Sequence, residues 1–154
     1  MKRGISFEIP NEYGYLLGDA LQPIDVKIYN WKIGDGESYK FLNGRLEEAL
    51  FPEDQPILEG YELENLIEAN EYYVIFANLQ AFPKGNISNV ETYEEFTESD
   101  CELAVLIVDC IYATIYCKNQ DTIELLHRNA LVKGFKDIEY ITDESDSRTR
   151  LSVW

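Results

Sequence analysis

Tyr72-Tyr73-Val74-Ile75-Phe76-Ala77-Asn78-Leu79-Gln80-Ala81-Phe82 is the stretch on which the fold turns. Tyr73, Ile75, Ala77, Leu79 and Ala81 recur with a period of two, which predicts one face of a buried strand. The other face starts with Tyr72, Val74 and Phe76, then turns polar at Asn78 and Gln80. Pro83 and Gly85 end the strand. Residues 103–108, Leu-Ala-Val-Leu-Ile-Val, are apolar on both faces and predict a central strand. Residues 111–117 follow as another strand, with Ile111, Ala113, Ile115 and Cys117 on one side.

Working outward toward the N-terminus, Ile5, Phe7 and Ile9 alternate, so residues 3–9 read as a strand that Pro10 stops. Asn11 can cap a helix over residues 11–21, whose face is Tyr13, Leu16, Leu17, Ala20 and Leu21. Gly14 and Gly18 flank that face at helical spacing, which weakens the helix but permits close backbone approach. Residues 25–31 read as a strand. Gly34-Asp35-Gly36 is a turn signal, and residues 39–42 can return as a hairpin. Residues 45–50 read as one or two helical turns, and Pro52 and Pro56 bracket an irregular acidic loop. Residues 62–70 form a short helix with Leu63, Leu66 and Ile67 inward.

Toward the C-terminus, Thr92 and Glu95 match a capping box, so a short helix runs to about Ser99. Asp121 with Glu124 starts a longer helix carrying Ile123, Leu126, Ala130 and Leu131, and Gly134 stops it. Residues 137–141 are a strand, 142–148 a polar loop and 149–154 a last strand. The fold class is α+β: an antiparallel or mixed β-sheet with helices packed mainly on one face. With no linker or shift in composition, residues 1–154 are expected to form a single globular domain. Both ends share a strand–helix–hairpin order, a possible pseudo-repeat without residue-level similarity.

Charge is the outlying number. The chain holds 29 acids against 13 bases, a formal charge of −16. That field repels phosphate backbones and anionic membranes, so neither nucleic acid nor membrane is an expected partner. The plain reading of the acidity is solubility, and the sharper one is a basic protein partner. The longest apolar run, residues 103–108, is far short of the ~20 residues of a membrane helix. No secretory signal follows Met1, and three cysteines cannot all pair, so the expected location is cytoplasmic with reduced thiols.

Sites for chemistry are sparse. His127 is the one histidine, which excludes a two-histidine metal site, and its helical position reads as a core-edge residue. The sharper alternative makes it a base or ligand in a pocket. Cys101, Cys110 and Cys117 are spaced too widely for a zinc pair; Cys110 and Cys117 are placed on strands as buried thiols. Asp143-Glu144-Ser145-Asp146 resembles half a cation loop but lacks the glycine and the later glutamate, and reads as a solvated tip. There is no nucleophile elbow, Walker loop or dinucleotide fingerprint, so neither catalytic residues nor a cofactor or metal site can be assigned. Trp31, Tyr39 and Phe41 lie near Gly34-Asp35-Gly36 and make either core or, if exposed, a recognition surface. Trp31, Asp35, Tyr39 and His127 are therefore the candidate ligand or partner residues. Trp154 should dock or mark a contact.

Three stretches carry a resemblance: Met1-Lys2-Arg3-Gly4-Ile5-Ser6-Phe7-Glu8-Ile9-Pro10, Tyr29-Asn30-Trp31-Lys32-Ile33 and Tyr140-Ile141-Thr142-Asp143-Glu144. Together they resemble a small uncharacterised protein family from Bacillus-type Firmicutes, over nearly the whole chain. The resemblance implies a bacterial protein and brings no activity with it. From the residues, a non-enzymatic protein-interaction or small-ligand-binding domain is expected. The alternatives are an immunity or antitoxin-like inhibitor of a basic toxin, and an enzyme with a dispersed site near His127.

Overall fold

A computed structural model describes residues 1–153. The described residues form nine strands and four α-helices: β1 Lys2–Glu8, α1 Leu16–Ala20, β2 Tyr29–Ile33, β3 Glu37–Leu42, β4 Arg45–Ala49, β5 Ile57–Glu59, α2 Gly60–Glu68, β6 Tyr72–Pro83, α3 Tyr93–Glu98, β7 Leu103–Val108, β8 Tyr112–Cys117, α4 Gln120–Lys133 and β9 Lys136–Thr142. The strands make one sheet in the order β4-β3-β6-β7-β8-β1-β9, with β2 also paired to β6 and β5 to β2. Every ladder is antiparallel, which decides between the two expected sheet types.

The sheet has two apolar faces. On one, α1, α2 and α4 cover a core that includes Ile5, Trp31, Leu79, Val105 and Ile115. On the other, a smaller cluster of Phe82, Phe96, Leu106, Tyr116, Leu151 and Val153 lies beneath α3 and the C-terminal segment. Three of the four helices thus share one face, as the sequence predicts.

β6 departs from strict alternation. Its register against β3 shifts from Glu37 opposite Phe76 to Ser38 opposite Val74, so Ile75 is an extra residue, a β-bulge. One inserted residue exchanges the faces. Tyr72 and Val74 therefore share the helix-side core with Ala77, Leu79 and Ala81. The bulged Ile75 carbonyl accepts the Cys110 amide at 3.0 Å.

Several expected elements are corrected. The helix over 11–21 shrinks to Leu16–Ala20, because Gly14 pairs with Tyr72 as a bridge and holds the preceding residues extended. Residues 45–50 are strand β4, not helical turns. The cause is Asn43-Gly44, with φ of 52° and 77°, a two-residue turn of the type that closes hairpins. Residues 26–28 form a short 3-10 turn ahead of β2, and Ile57–Glu59 adds a strand that the sequence does not announce. Asn119, not Asp121, caps α4, its side chain accepting the Thr122 amide. The Thr92–Glu95 capping box of α3 is present. Residues 149–153 are not a strand; Arg150 makes one isolated bridge to Thr92. Trp154 lies outside the described residues. With the Gly34–Gly36 hairpin also absent, the strand–helix–hairpin repeat is not confirmed.

The thiols differ sharply. Cys101 is fully buried, and desolvation pushes its pKa up to about 12; Cys117, also buried, is pushed up to about 11. Cys110 is not on a strand: with Asp109 it forms the β7–β8 turn, and it is half-buried. Only thiolates react readily with disulfide reagents. At pH 8, one thiol of the native protein is expected to be titrated quickly, at Cys110, and all three after unfolding in urea. Fast labelling of Cys101 in the native state would contradict the packing described.

Candidate functional site

Gly34-Asp35-Gly36 does not reverse the chain. β2 and β3 run in the same direction, end to end, along one edge of β6: Ile33 sits opposite Leu79 and Glu37 opposite Phe76. The three residues between them form a jog. The Gly34 amide donates to the Asn78 carbonyl at 2.8 Å, which holds the jog on β6. A Cβ at Gly36 would lie 2.6 Å from the Phe76 carbonyl oxygen, so no larger residue fits that approach without a backbone shift. On their outer edges β2 takes β5 and β3 takes β4, and the two pairs part at the jog.

A cleft opens on each side of this parting. The first, of about 400 Å³, lies toward the helix face under residues 49–56, with Ile33, Ala77 and Leu79 at its base. Its polar lining includes the carboxylates of Asp35, Glu37 and Glu53, and its aromatic walls are Tyr39, Phe51 and Phe76. Neither lysine nor arginine lines it. The Tyr39 hydroxyl donates to Glu37 at 2.6 Å, and that bond to a carboxylate holds the phenol above its ordinary range. The second cleft, of about 250 Å³, lies toward the other face. Lys32, Gln80, Asn89, Glu91 and Arg150 line it, and Gly34, Asp35 and Asn78 form the wall common to both.

The four candidate residues separate. Asp35 is exposed on the shared wall and Tyr39 is in the first cleft. Trp31 is wholly buried, its indole N–H donating to the Val26 carbonyl at 2.9 Å, so it is core and not a recognition surface. His127 lines neither cleft. Its ring stacks on Tyr140 with centroids 4.2 Å apart, beside Glu124, which takes Lys2 and the Tyr140 hydroxyl. Lys2, chiefly through that hydrogen bond, holds the Glu124 carboxyl below the usual range. Asp143 and Asp146 both pair with Arg3. Among the described residues, no three His, Cys, Asp or Glu side chains converge as a metal site, and no helix is long and apolar enough to cross a membrane.

Glu37, Glu53, Phe51, Lys32 and Arg150 are cleft residues that the sequence reading does not single out. Two signals for the place were there. Asn78 and Gln80 are polar on an otherwise apolar strand, and Asn43-Gly44 frees Gly34-Asp35-Gly36 from the role of hairpin turn.

A family model described as protein of unknown function, DUF2691, matches residues 2–152. The uncharacterized protein YncE of Bacillus subtilis (strain 168) is 49% identical over 154 residues, covering 99% of this chain and 100% of the relative. No solved structure matches. These matches agree with the resemblance to an uncharacterised family of Bacillus-type bacteria.

Proposed function

The chain belongs to the DUF2691 family, and from that premise we propose that it is a binding domain whose first cleft receives a basic side chain of a protein partner. One observation carries the reading. In a concave site of about 400 Å³, three carboxylates and three aromatic rings meet with no resident cation. An aromatic ring attracts a lysine or arginine head over its face, and carboxylates bind it by charge-assisted hydrogen bonds. The formal charge of −16 adds long-range attraction for a basic surface. The same field disfavours nucleic acid and anionic membranes as partners. A basic toxin held by an inhibitor is a special case of this recognition. Against the alternative of an enzyme around His127 stands its place on α4, stacked on Tyr140 and lining neither cleft.

The test uses a fluorescently labelled arginine-rich peptide and the full chain. Binding is expected to weaken by about tenfold or more as salt rises from about 20 to about 300 mM, since screening shortens the reach of the charges. Glu37→Gln with Glu53→Gln is expected to weaken it by about tenfold at low salt. Equal affinity of the double variant and the parent would refute the cleft as the docking point.

A further inference from the structure

The second cleft has a different chemistry from the first. Gln80 lies on β6 at its floor and is 5% exposed. Its Nε2 donates to the Val90 carbonyl at 2.9 Å, which fixes the orientation of the amide. Its Oε1 is buried and accepts nothing from the described residues. A buried acceptor left empty costs about 1–3 kcal/mol, so such an atom calls for a donor. Lys32 and Arg150 stand over the same cleft. In a chain with 29 acids, neither has an ion pair among the described residues. Among the described residues, the Lys32 ammonium donates only to Asn89 Oδ1, at 3.3 Å, and the Arg150 guanidinium has no side-chain partner. Asp35 and Glu91 complete the lining, so two cations and two carboxylates face one small volume.

We propose that this cleft binds a small zwitterion of the α-amino acid class. The ligand carboxylate goes to Lys32 and Arg150. Its ammonium faces Asp35 and Glu91, and a small shift of the Gln80 amide, whose Oε1 is covered in the unliganded chain, gives that oxygen the donor it lacks. The balance of charges favours a zwitterion over a plain anion, which the two carboxylates would repel, and over a plain cation, which the lysine and arginine would repel. The volume of about 250 Å³ lies below the usual range of drug-sized pockets and suits a metabolite of this size. This assignment stands apart from the basic-partner reading and uses different side chains, Asp35 excepted.

The experiment is a ¹H–¹⁵N NMR titration of the full chain with each of the twenty common amino acids, and with acetate and methylamine as half-ligands. At least one amino acid is expected to give saturable shifts centred on residues 32, 80, 89–91 and 150, with acetate and methylamine binding about tenfold more weakly. Lys32→Met and Arg150→Met, both at the surface, should each weaken binding about tenfold, while Lys84→Met should not. Glu37→Gln with Glu53→Gln should leave the titration unchanged, which separates this site from the first cleft. The proposal is overturned by the absence of saturable shifts up to about 10 mM of every amino acid, the result expected if Gln80 Oε1 stays covered by the chain. Acetate binding as tightly as the best amino acid, or binding that survives loss of both cations, overturns it equally.

Discussion

Trp31→Ala is expected to lower the unfolding free energy by about 3–5 kcal/mol, measured by urea denaturation. The indole is fully buried in β2, between β5 and β6, with Leu58 and Ala81 as its cross-strand neighbours. Tyr29 meets it edge-on at a centroid distance of 6.0 Å. Removal deletes the largest fully buried side chain of the core and leaves a void that a sheet paired on both edges cannot collapse into. It also orphans the Val26 carbonyl. Trp31→Phe keeps most of the ring and loses the hydrogen bond, so it should cost about 1–3 kcal/mol. A loss under about 1 kcal/mol for the alanine variant would place the ring at the surface and restore it as a recognition residue.

Tyr72→Phe is expected to cost about 3 kcal/mol although it removes a single oxygen. That hydroxyl accepts the amides of Leu17 and Gly18, each at 3.1 Å, and donates to the Ile67 carbonyl at 2.9 Å. Leu17 and Gly18 lie in the first turn of α1, where backbone donors have no partner within the helix. Tyr15, at the N-cap position, offers no side-chain cap. Ile67 lies in the last turn of α2, where carbonyls face the converse shortage. One phenol on β6 thus closes the start of one helix and the end of another. Burial drives its pKa upward, so it stays protonated and able to donate at any physiological pH. Amide hydrogen exchange adds a local readout: residues 17 and 18 should lose more protection than β7 or β8. A change under about 0.5 kcal/mol would mean that water replaces the hydroxyl and that the joint is not structural.

The parts of the fold visible in the sequence are those fixed by local periodicity. β7 is apolar on both faces and lies inside the sheet; α3 carries its capping box, and α4 stops at Gly134. The parts that were hidden depend on residues far apart in the chain. The cap of α1 comes from Tyr72, about fifty positions away, which no helix-start rule can see. The bulge at Ile75 keeps an alternating sequence pattern while exchanging the faces beneath it. β5 is three residues long and exists because β2 offers an edge. Of the candidate site, Asp35 and Tyr39 were legible because the glycines beside them mark a bend. Glu53, Lys32 and Arg150 reach it from three separate segments, and only the meeting of those segments makes them neighbours.

The position of β1 has a consequence for the order of assembly. It lies inside the sheet, paired with β8 through Gly4 opposite Tyr116 and with β9 through Lys2 opposite Thr142. On the ribosome β1 emerges long before either neighbour is synthesised. Its Ile5 and Phe7, both buried in the finished protein, stay without their strand partners until nearly the whole chain has been translated. The β6–β7–β8 meander, whose contacts are closer in sequence, can form first and provide the open edge that β1 then fills. Nascent chains stopped before β8 would carry an unsatisfied apolar strand, the kind of segment that chaperones hold.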